Sequence, residues 1–247
     1  MSTYYRYFSL VVCAICLLAF NKLSAQNLEE DVLEQANQIG RVYESYLSPH
    51  QEPGEEKDTP KTVPKVFQST KPSKLRSERD SRGYGRLSFS KDLSKVFVEV
   101  KIEGVDIDEI NMFHLHCGKP DQLGPILVDF SLGTEIQLNF KDDGIFAIEI
   151  TNKDIVAALE AGHGLVGGFT AGCPIAPGLP GKVKTVAGME YIAEKGELYF
   201  NLHTEGQTFY GDIRGRILPA SSVKQAEVYP SMETPPPPPS SEGGHNH

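Results

Sequence analysis

The 247-residue sequence contains no tryptophan, only four cysteines and only four methionines. After one apolar run between Phe8 and Phe20, no segment is apolar enough to span a bilayer. The chain also lacks a basic cluster with interleaved aromatic residues, and its formal net charge is −9. Such an acidic chain is a poor candidate for binding nucleic acid or an anionic membrane surface. The motifs G-x-S-x-G and H-E-x-x-H are absent, so no hydrolase nucleophile or zinc protease site is visible.

Residues 1–25 have the features of a signal peptide. Arg6 precedes the apolar run, and small residues stand near Ala25, where we expect cleavage. A retained membrane anchor is the alternative, but the run is shorter than the roughly 20 residues that a spanning helix needs. Removal of this segment takes away two basic residues and no acid. We therefore expect a secreted or periplasmic protein with no membrane span in its mature form.

The expected export determines which cysteines remain in the mature protein and whether they are oxidised. Cys13 and Cys16 leave with the signal peptide, so Cys117 and Cys173 remain. Two cysteines in an oxidising compartment usually pair, and we predict a disulfide between them. The alternative is a thiolate metal ligand, since Cys117 adjoins His116. Strand alternation argues against this alternative, because Cys117 would point away from His116.

The chain divides into five predicted segments. A helical period over residues 26–47 follows the signal peptide and predicts an N-terminal helix. Residues 48–82 are rich in Pro, Lys, Glu and Ser and predict a flexible linker. A single β-domain is expected over residues 83–218. Residues 219–247 form a tail with five consecutive prolines, and we predict that it is disordered.

Within residues 83–218, short runs of alternating apolar residues predict strand after strand. One predicted strand contains Ile136, Leu138 and Phe140. A final hairpin is expected around residues 198–217, and short helices are expected over residues 153–161 and 185–194. The pattern predicts an all-β fold, an antiparallel Greek-key sandwich or barrel of the superoxide-dismutase-like or immunoglobulin-like kind.

The most informative motif places His114 and His116 two residues apart on a predicted strand. Alternate residues of a strand share a face, so both imidazoles project to the same side. His203 lies on a late strand that could be a neighbour. Three neutral imidazoles suit copper or zinc and leave a position open for water or a ligand. Alternatively, the rings belong to a structural polar cluster with Asn201, Asp212 and Arg214, or bond to backbone carbonyls.

The same residues resemble two signatures of a known family. Residues 114–118, followed by residues 124–128, are similar to the first signature of the chordin-type (CHRD) domain. Residues 199–204, followed by residues 211–215, are similar to its second signature. The resemblance covers residues 83–218 and implies an exported β-rich domain. The growth-factor antagonism of chordin is not implied, because a lone domain lacks the cysteine-rich modules that chordin uses.

We therefore expect a non-enzymatic binding role toward a protein or matrix partner in the envelope or extracellular space. A copper- or zinc-binding protein that uses His114, His116 and His203 is the alternative. A redox enzyme of the superoxide-dismutase type is a further alternative, based on its similar His-x-His strand. We expect no catalytic residues and no nucleic-acid partner.

Overall fold

The computed structural model describes residues 37–132, 135–140, 143–162, 171–176 and 180–220. The predicted signal peptide and nearly all of the predicted tail lie outside the described residues. Within these residues, nine strands form two antiparallel sheets, which confirms the predicted all-β sandwich. The strands are β1 (Ile39–Leu47), β2 (Arg82–Ser90), β3 (Lys95–Glu103), β4 (Ile110–Cys117), β5 (Ile126–Asp129), β6 (Ile145–Thr151), β7 (Leu198–Thr204), β8 (Ile213–Arg216) and β9 (Leu218–Pro219).

The first sheet has the strand order β6-β3-β2-β1-β9, and the second has the order β5-β4-β7-β8. The two sheets pack through apolar side chains at alternate strand positions. Phe113 of β4 lies with its ring centroid 5.4 Å from that of Phe146 of β6 and stacks on Phe200 of β7 at 5.8 Å. These rings are at most 1 % exposed, so they form the centre of the core. In the second sheet, the histidines lie on the opposite face of β4 and β7.

The part of the chain that the structure describes includes the α-helices α1 (Ile136–Asn139), α2 (Asn152–Ala161) and α3 (Val186–Glu194). The two longer helices lie where the sequence predicts them, and Thr151 caps α2 through a capping box with Asp154. The strand predicted around Leu138 is wrong, because that segment is α1. Ile136 and Phe140 are buried four residues apart while Leu138 is 76 % exposed, which is a helical period. In the described part of the chain, no helix has the length and apolarity required to cross a membrane.

The prediction of a helix through residue 47 is wrong for the segment Ile39–Leu47, which is β1. Tyr43, Ser45 and Leu47 are buried at alternate positions, with a period of two. β1 pairs with β2 along nearly its whole length, so long-range ladder hydrogen bonds replace the local helical preference. The first sheet thus begins upstream of the predicted boundary at Gly83.

The segment predicted as a flexible linker, residues 48–82, is ordered. It contains four 3-10 helices, Pro49–Gln51, Glu56–Asp58, Lys65–Phe67 and Arg76–Glu78. The buried Glu56 carboxylate accepts backbone N–H bonds from Phe209 and Tyr210 and a hydroxyl bond from Ser69. Charged side chains with long-range partners therefore hold this polar segment, although its composition offers little apolar surface.

Candidate functional site

The histidine site lies on the face of β4 and β7 that points away from the apolar core. His114 and His116 share that face, as strand alternation predicts, and Phe113 and Leu115 enter the core. The register pairs Met112 with His203 and His114 with Asn201. His203 therefore sits diagonally across from His114, two residues along the strand, and the third ring joins the first two.

The three rings form one compact cluster. The ring centroid of His114 lies 5.2 Å from that of His116 and 5.3 Å from that of His203, and the remaining pair is 6.4 Å apart. One potential ligand nitrogen from each ring lies within 4.8 Å of those of the other two. All three residues are buried, with exposures of 2–8 %. The structure thus brings together the three histidines that the sequence singles out.

Backbone carbonyls orient two of the rings. The Nδ1–H of His116 donates to the carbonyl oxygen of Gly124 at 2.9 Å, and the Nδ1–H of His203 donates to that of Thr208 at 3.0 Å. A carbonyl only accepts, so Nδ1 carries the proton and Nε2 holds the lone pair in each neutral ring. Neither Nε2 atom has a hydrogen-bond partner among the residues that the structure describes. Both rings therefore offer a buried, unprotonated nitrogen.

The protonation equilibrium of these two rings agrees with that assignment. Burial and, to a smaller extent, the nearby His203 lower the pKa of His116 to about 3. Burial also lowers the pKa of His203, to about 4. Because an imidazolium loses its hydration in this position, both rings are neutral at physiological pH. Neutral imidazole is the form that ligates a metal ion.

The third ring, His114, faces a carboxylate. Its Nε2 lies 3.5 Å from Oδ1 of Asp129, and the side chains of both residues are at most 5 % exposed. Asp129 is the cross-strand neighbour of His114 on β5, and its Oδ1 also accepts the backbone N–H of Ser131. A carboxylate that orients a histidine is a usual outer-shell arrangement in metal sites. Sequence analysis did not single out Asp129, and only the β4–β5 register reveals it.

Each of the three polar residues that the sequence groups with the imidazoles, Asn201, Asp212 and Arg214, has a separate partner among the described residues. The two terminal nitrogens of Arg214 donate to the carbonyls of Gln122 and Lys119, at 2.8 and 3.2 Å. The guanidinium also lies 3.5 Å from the ring centroid of Tyr199, which itself stacks on His116. Arg214 therefore fastens the loop after β4 against the second sheet.

Asp212 and Asn201 have partners of their own. The Asp212 carboxylate accepts from Arg79, and Asn201 donates its amide to the carbonyl of Tyr210. Glu52, which is 1 % exposed, lies close to this group and interacts electrostatically with Arg214 and Arg79. Burial raises the pKa of Glu52 well above its ordinary value, and the two arginines oppose this only in part. Sequence analysis missed Arg79 and Glu52, since both belong to the segment interpreted as a linker.

The disulfide between Cys117 and Cys173 is confirmed. It joins the end of β4 to the short segment at residues 171–176, with a Cα–Cα distance of 6.0 Å. Cys117 belongs to the apolar core and lies on the face opposite the histidines. The thiolate-ligand alternative is therefore wrong for these two cysteines.

A cleft of about 230 Å³ lies beside the loop that Arg214 fastens. Its lining includes His50, Arg214, Arg216, Tyr199, Pro120 and Asp121. Arg214 and Tyr199 form its buried floor, and His50 and Arg216 are exposed at its rim. Because its lining contains two arginines and one carboxylate, the local net charge of this cleft is positive, although the chain as a whole is acidic.

Comparison with known proteins identifies the family. A family model for the CHRD domain matches residues 67–217, which is more than half of the chain and includes every strand from β2 to β8. Searches of curated proteins and of solved structures find no match. The two signatures that suggest the resemblance lie on β4, β5, β7 and β8, the strands that form the second sheet. The chain belongs to the CHRD-domain family.

Proposed function

We propose that this chain is an exported, non-enzymatic binding domain, and that the cleft beside Arg214 contacts an acidic group of its protein or matrix partner. Membership of the CHRD family supports a binding-type domain. The observation that carries the proposal is the cleft itself, which combines Arg214 and Arg216 in a chain of net charge −9. A partner with a carboxylate or another anionic group complements that local charge.

The cleft is preorganised by contacts on its floor. Arg214 donates its terminal N–H groups to two loop carbonyls, so its position is fixed while its positive charge remains. The hydroxyl of Tyr199 accepts the backbone N–H of Gly124 and holds the other end of the same loop. A rigid site loses less conformational entropy on binding than a mobile one, so modest contacts suffice for recognition.

Export is the second part of the proposal. Residues 1–25 carry the signal-peptide pattern, and the disulfide between Cys117 and Cys173 is of the kind that persists in oxidising compartments. An extracellular or envelope location gives such a domain access to secreted proteins and to matrix polymers.

The binding experiment uses polyglutamate as a carboxylate probe and the isolated extracellular matrix of the native host as the biological one. Arg216→Glu and His50→Glu place a negative charge at the rim of the cleft. Lys91→Glu is the matched control, since Lys91 is exposed next to Gln38, at the opposite end of β1 from Ser48 and the cleft. We expect both rim variants to lose at least fivefold in affinity for each probe, and wild-type binding to weaken with salt.

Equal binding by wild type and both rim variants would overturn the cleft assignment. Turnover of a substrate by the purified chain would contradict the non-enzymatic role. The redox alternative has a specific obstacle in this fold, because the three imidazoles are only 2–8 % exposed and a substrate must reach them.

A further inference from the structure

We infer that His114, His116 and His203 bind one copper or zinc ion, which ties β4 to β7 inside the second sheet. This inference goes beyond the proposed binding role, since the ion serves the fold rather than the partner contact. It rests on where the nitrogens point, on what holds each ring and on how deeply the cluster is buried.

The ligand atoms are the first argument. The Nε2 atoms of His116 and His203 are lone-pair nitrogens, because each ring donates its Nδ1–H to a carbonyl. Both Nε2 atoms are buried and lack a hydrogen-bond partner within the described residues. A buried polar atom without a partner destabilises the folded state, so two in one place require an explanation. A shared metal ion satisfies both atoms together with one nitrogen of His114.

The surroundings of each ring are the second argument. Two rings are held by backbone carbonyls, and the third faces the Asp129 carboxylate at 3.5 Å. Metal-bound histidines usually have such an outer shell, which sets the tautomer and the ring orientation. The carbonyl of Thr208 is itself held in place, since the N–H of the same peptide group, that of Phe209, donates to the Glu56 carboxylate. The ordered segment before β2 thus supports the outer shell.

The distances are the third argument. Nitrogens that share one tetrahedral ion, with bonds of about 2.0–2.1 Å, lie about 3.3 Å apart. The three ligand nitrogens here lie within 4.8 Å of one another. The difference is at most on the order of 1.5 Å, so binding of an ion requires the three side chains to move closer together by a small distance.

The chemistry of the donors selects the ion. Imidazole nitrogen suits copper and zinc, whereas calcium and magnesium prefer oxygen ligands. The sulfur of Cys117 does not compete, because it is in a disulfide on the opposite face. Three histidines leave one coordination position for water or another small ligand. Burial of the site points to a structural ion.

The experiment measures metal binding without any activity assay. The full chain carries His245→Ala and His247→Ala throughout, because these two terminal histidines would otherwise scavenge metal. Metal content is measured on protein purified from the native host without chelator. Zn²⁺ and Cu²⁺ are then titrated separately into metal-free protein by calorimetry, with thermal unfolding as a second readout. We expect about one ion per chain and a rise in melting temperature with added ion.

The test variants are His116→Asn and His203→Asn. Asparagine can still donate from the position of Nδ1, but it lacks Nε2, so the bond to Gly124 or Thr208 can survive while the ligand is lost. We expect at least a hundredfold loss of affinity in each. Asp129→Asn, which changes only the outer shell, should lose about 10- to 100-fold. His50→Ala removes an exposed histidine outside the cluster and should retain full affinity.

A readout on the wild-type chain keeps the test decisive if a variant fails to fold. With ¹⁵N-labelled histidine, Zn²⁺ should shift the Nε2 resonances of His116 and His203 and leave their Nδ1–H signals in place. The inference is overturned if those resonances do not move, or if neither ion raises the melting temperature. It is also overturned if folded Asn variants bind as well as the wild type. None of these outcomes bears on polyglutamate binding, so the two proposals fail independently.

Discussion

Arg79 and Asp212 form a buried ion pair between segments that are 133 residues apart in the chain. The Nη1 atom of Arg79 lies 3.2 Å from Oδ1 of Asp212, and it also donates to the carbonyls of Gly211 and Asp212. The two side chains are 4 % and 9 % exposed. This contact attaches the polar segment before β2 to the turn that leads into β8.

We predict that Arg79→Ala destabilises the protein by about 3–5 kcal/mol, because it leaves the Asp212 carboxylate buried without its cation. Chemical unfolding at neutral pH measures the change. Arg82→Ala is the control, since Arg82 pairs with Glu103 at the surface and is 40 % exposed. That pair is expected to contribute about 0–1 kcal/mol. Equal losses of unfolding free energy in the two variants would show that the Arg79–Asp212 pair stabilises the protein no more than the surface pair does.

We predict that Glu52→Gln becomes more stabilising relative to wild type as the pH rises. Burial raises the pKa of Glu52 in the folded chain above its unfolded value. The unfolded chain therefore releases this proton first, so wild-type stability falls as pH rises through the folded pKa. Glutamine has no proton to lose, and the variant avoids this loss.

Urea unfolding of wild type and Glu52→Gln between pH 4 and pH 8 tests this sign. The difference in unfolding free energy should grow with pH in favour of the glutamine variant. Glu99→Gln, on the exposed side of β3, should show a change within about 0.5 kcal/mol at each pH. A gap between wild type and Glu52→Gln that narrows with pH would contradict the prediction.

We predict that Tyr43→Phe destabilises the protein by about 1–3 kcal/mol. The hydroxyl of Tyr43, on β1, donates to the buried Glu190 carboxylate of α3 at 2.5 Å. Phenylalanine keeps the ring packed against Phe89 and removes only that donor. Tyr46→Phe is the control, since Tyr46 is 63 % exposed on the same strand.

We predict that replacing both Cys117 and Cys173 by alanine costs about 2–5 kcal/mol of stability. The bridge closes a chain segment with a sequence separation of 56, which restricts the unfolded state. Thermal and denaturant unfolding of oxidised wild type and the double variant measure the loss. A thiol titration of denatured protein that begins at Gln26 should give no free thiol before reduction and two after it. Two thiols before reduction would rule out the bridge in the native protein.

We predict that the exported chain begins at Gln26, with cleavage after Ala25. Mass spectrometry of the N-terminal peptide from cell-free medium or periplasm identifies the start. Leu17→Arg interrupts the apolar run and should retain the chain in the cell, whereas Leu17→Ile should be exported normally. An uncleaved N-terminus on the exported protein would contradict the signal-peptide assignment.

The strand pattern explains why two of the three clustered histidines are predictable as neighbours. Residues at i and i+2 of a strand share a face in any sheet, so His114 and His116 are neighbours from local geometry alone. The position of His203 depends on the β4–β7 register, which places Met112 opposite it. Asp129 depends likewise on the β4–β5 register. Local periodicity does not predict these two strand registers.

The wrong predictions for residues 39–47 and for residues 48–82 have a related cause. The apolar residues of segment 39–47 fit a three- and four-residue spacing as well as a two-residue one, and pairing with β2 selected the second. The composition of segment 48–82 is poor in apolar groups, but Glu56 and Arg79 gain buried partners far away in the chain. Composition shows which groups a segment contains, but whether the segment is ordered depends on the partners that its side chains contact in the fold.

By itself the sequence determined the all-β class, the face shared by His114 and His116, the pairing of the two remaining cysteines and the two signatures of the family. Each of these depends on strand alternation, on residue counts or on short motifs, which are local properties. Only the tertiary structure decided that His203 and Asp129 join the first two rings and that residues 48–82 are held by partners far away in the chain. Those contacts arise from strand register and long-range ion pairs, and burial then sets the charge state of the imidazoles.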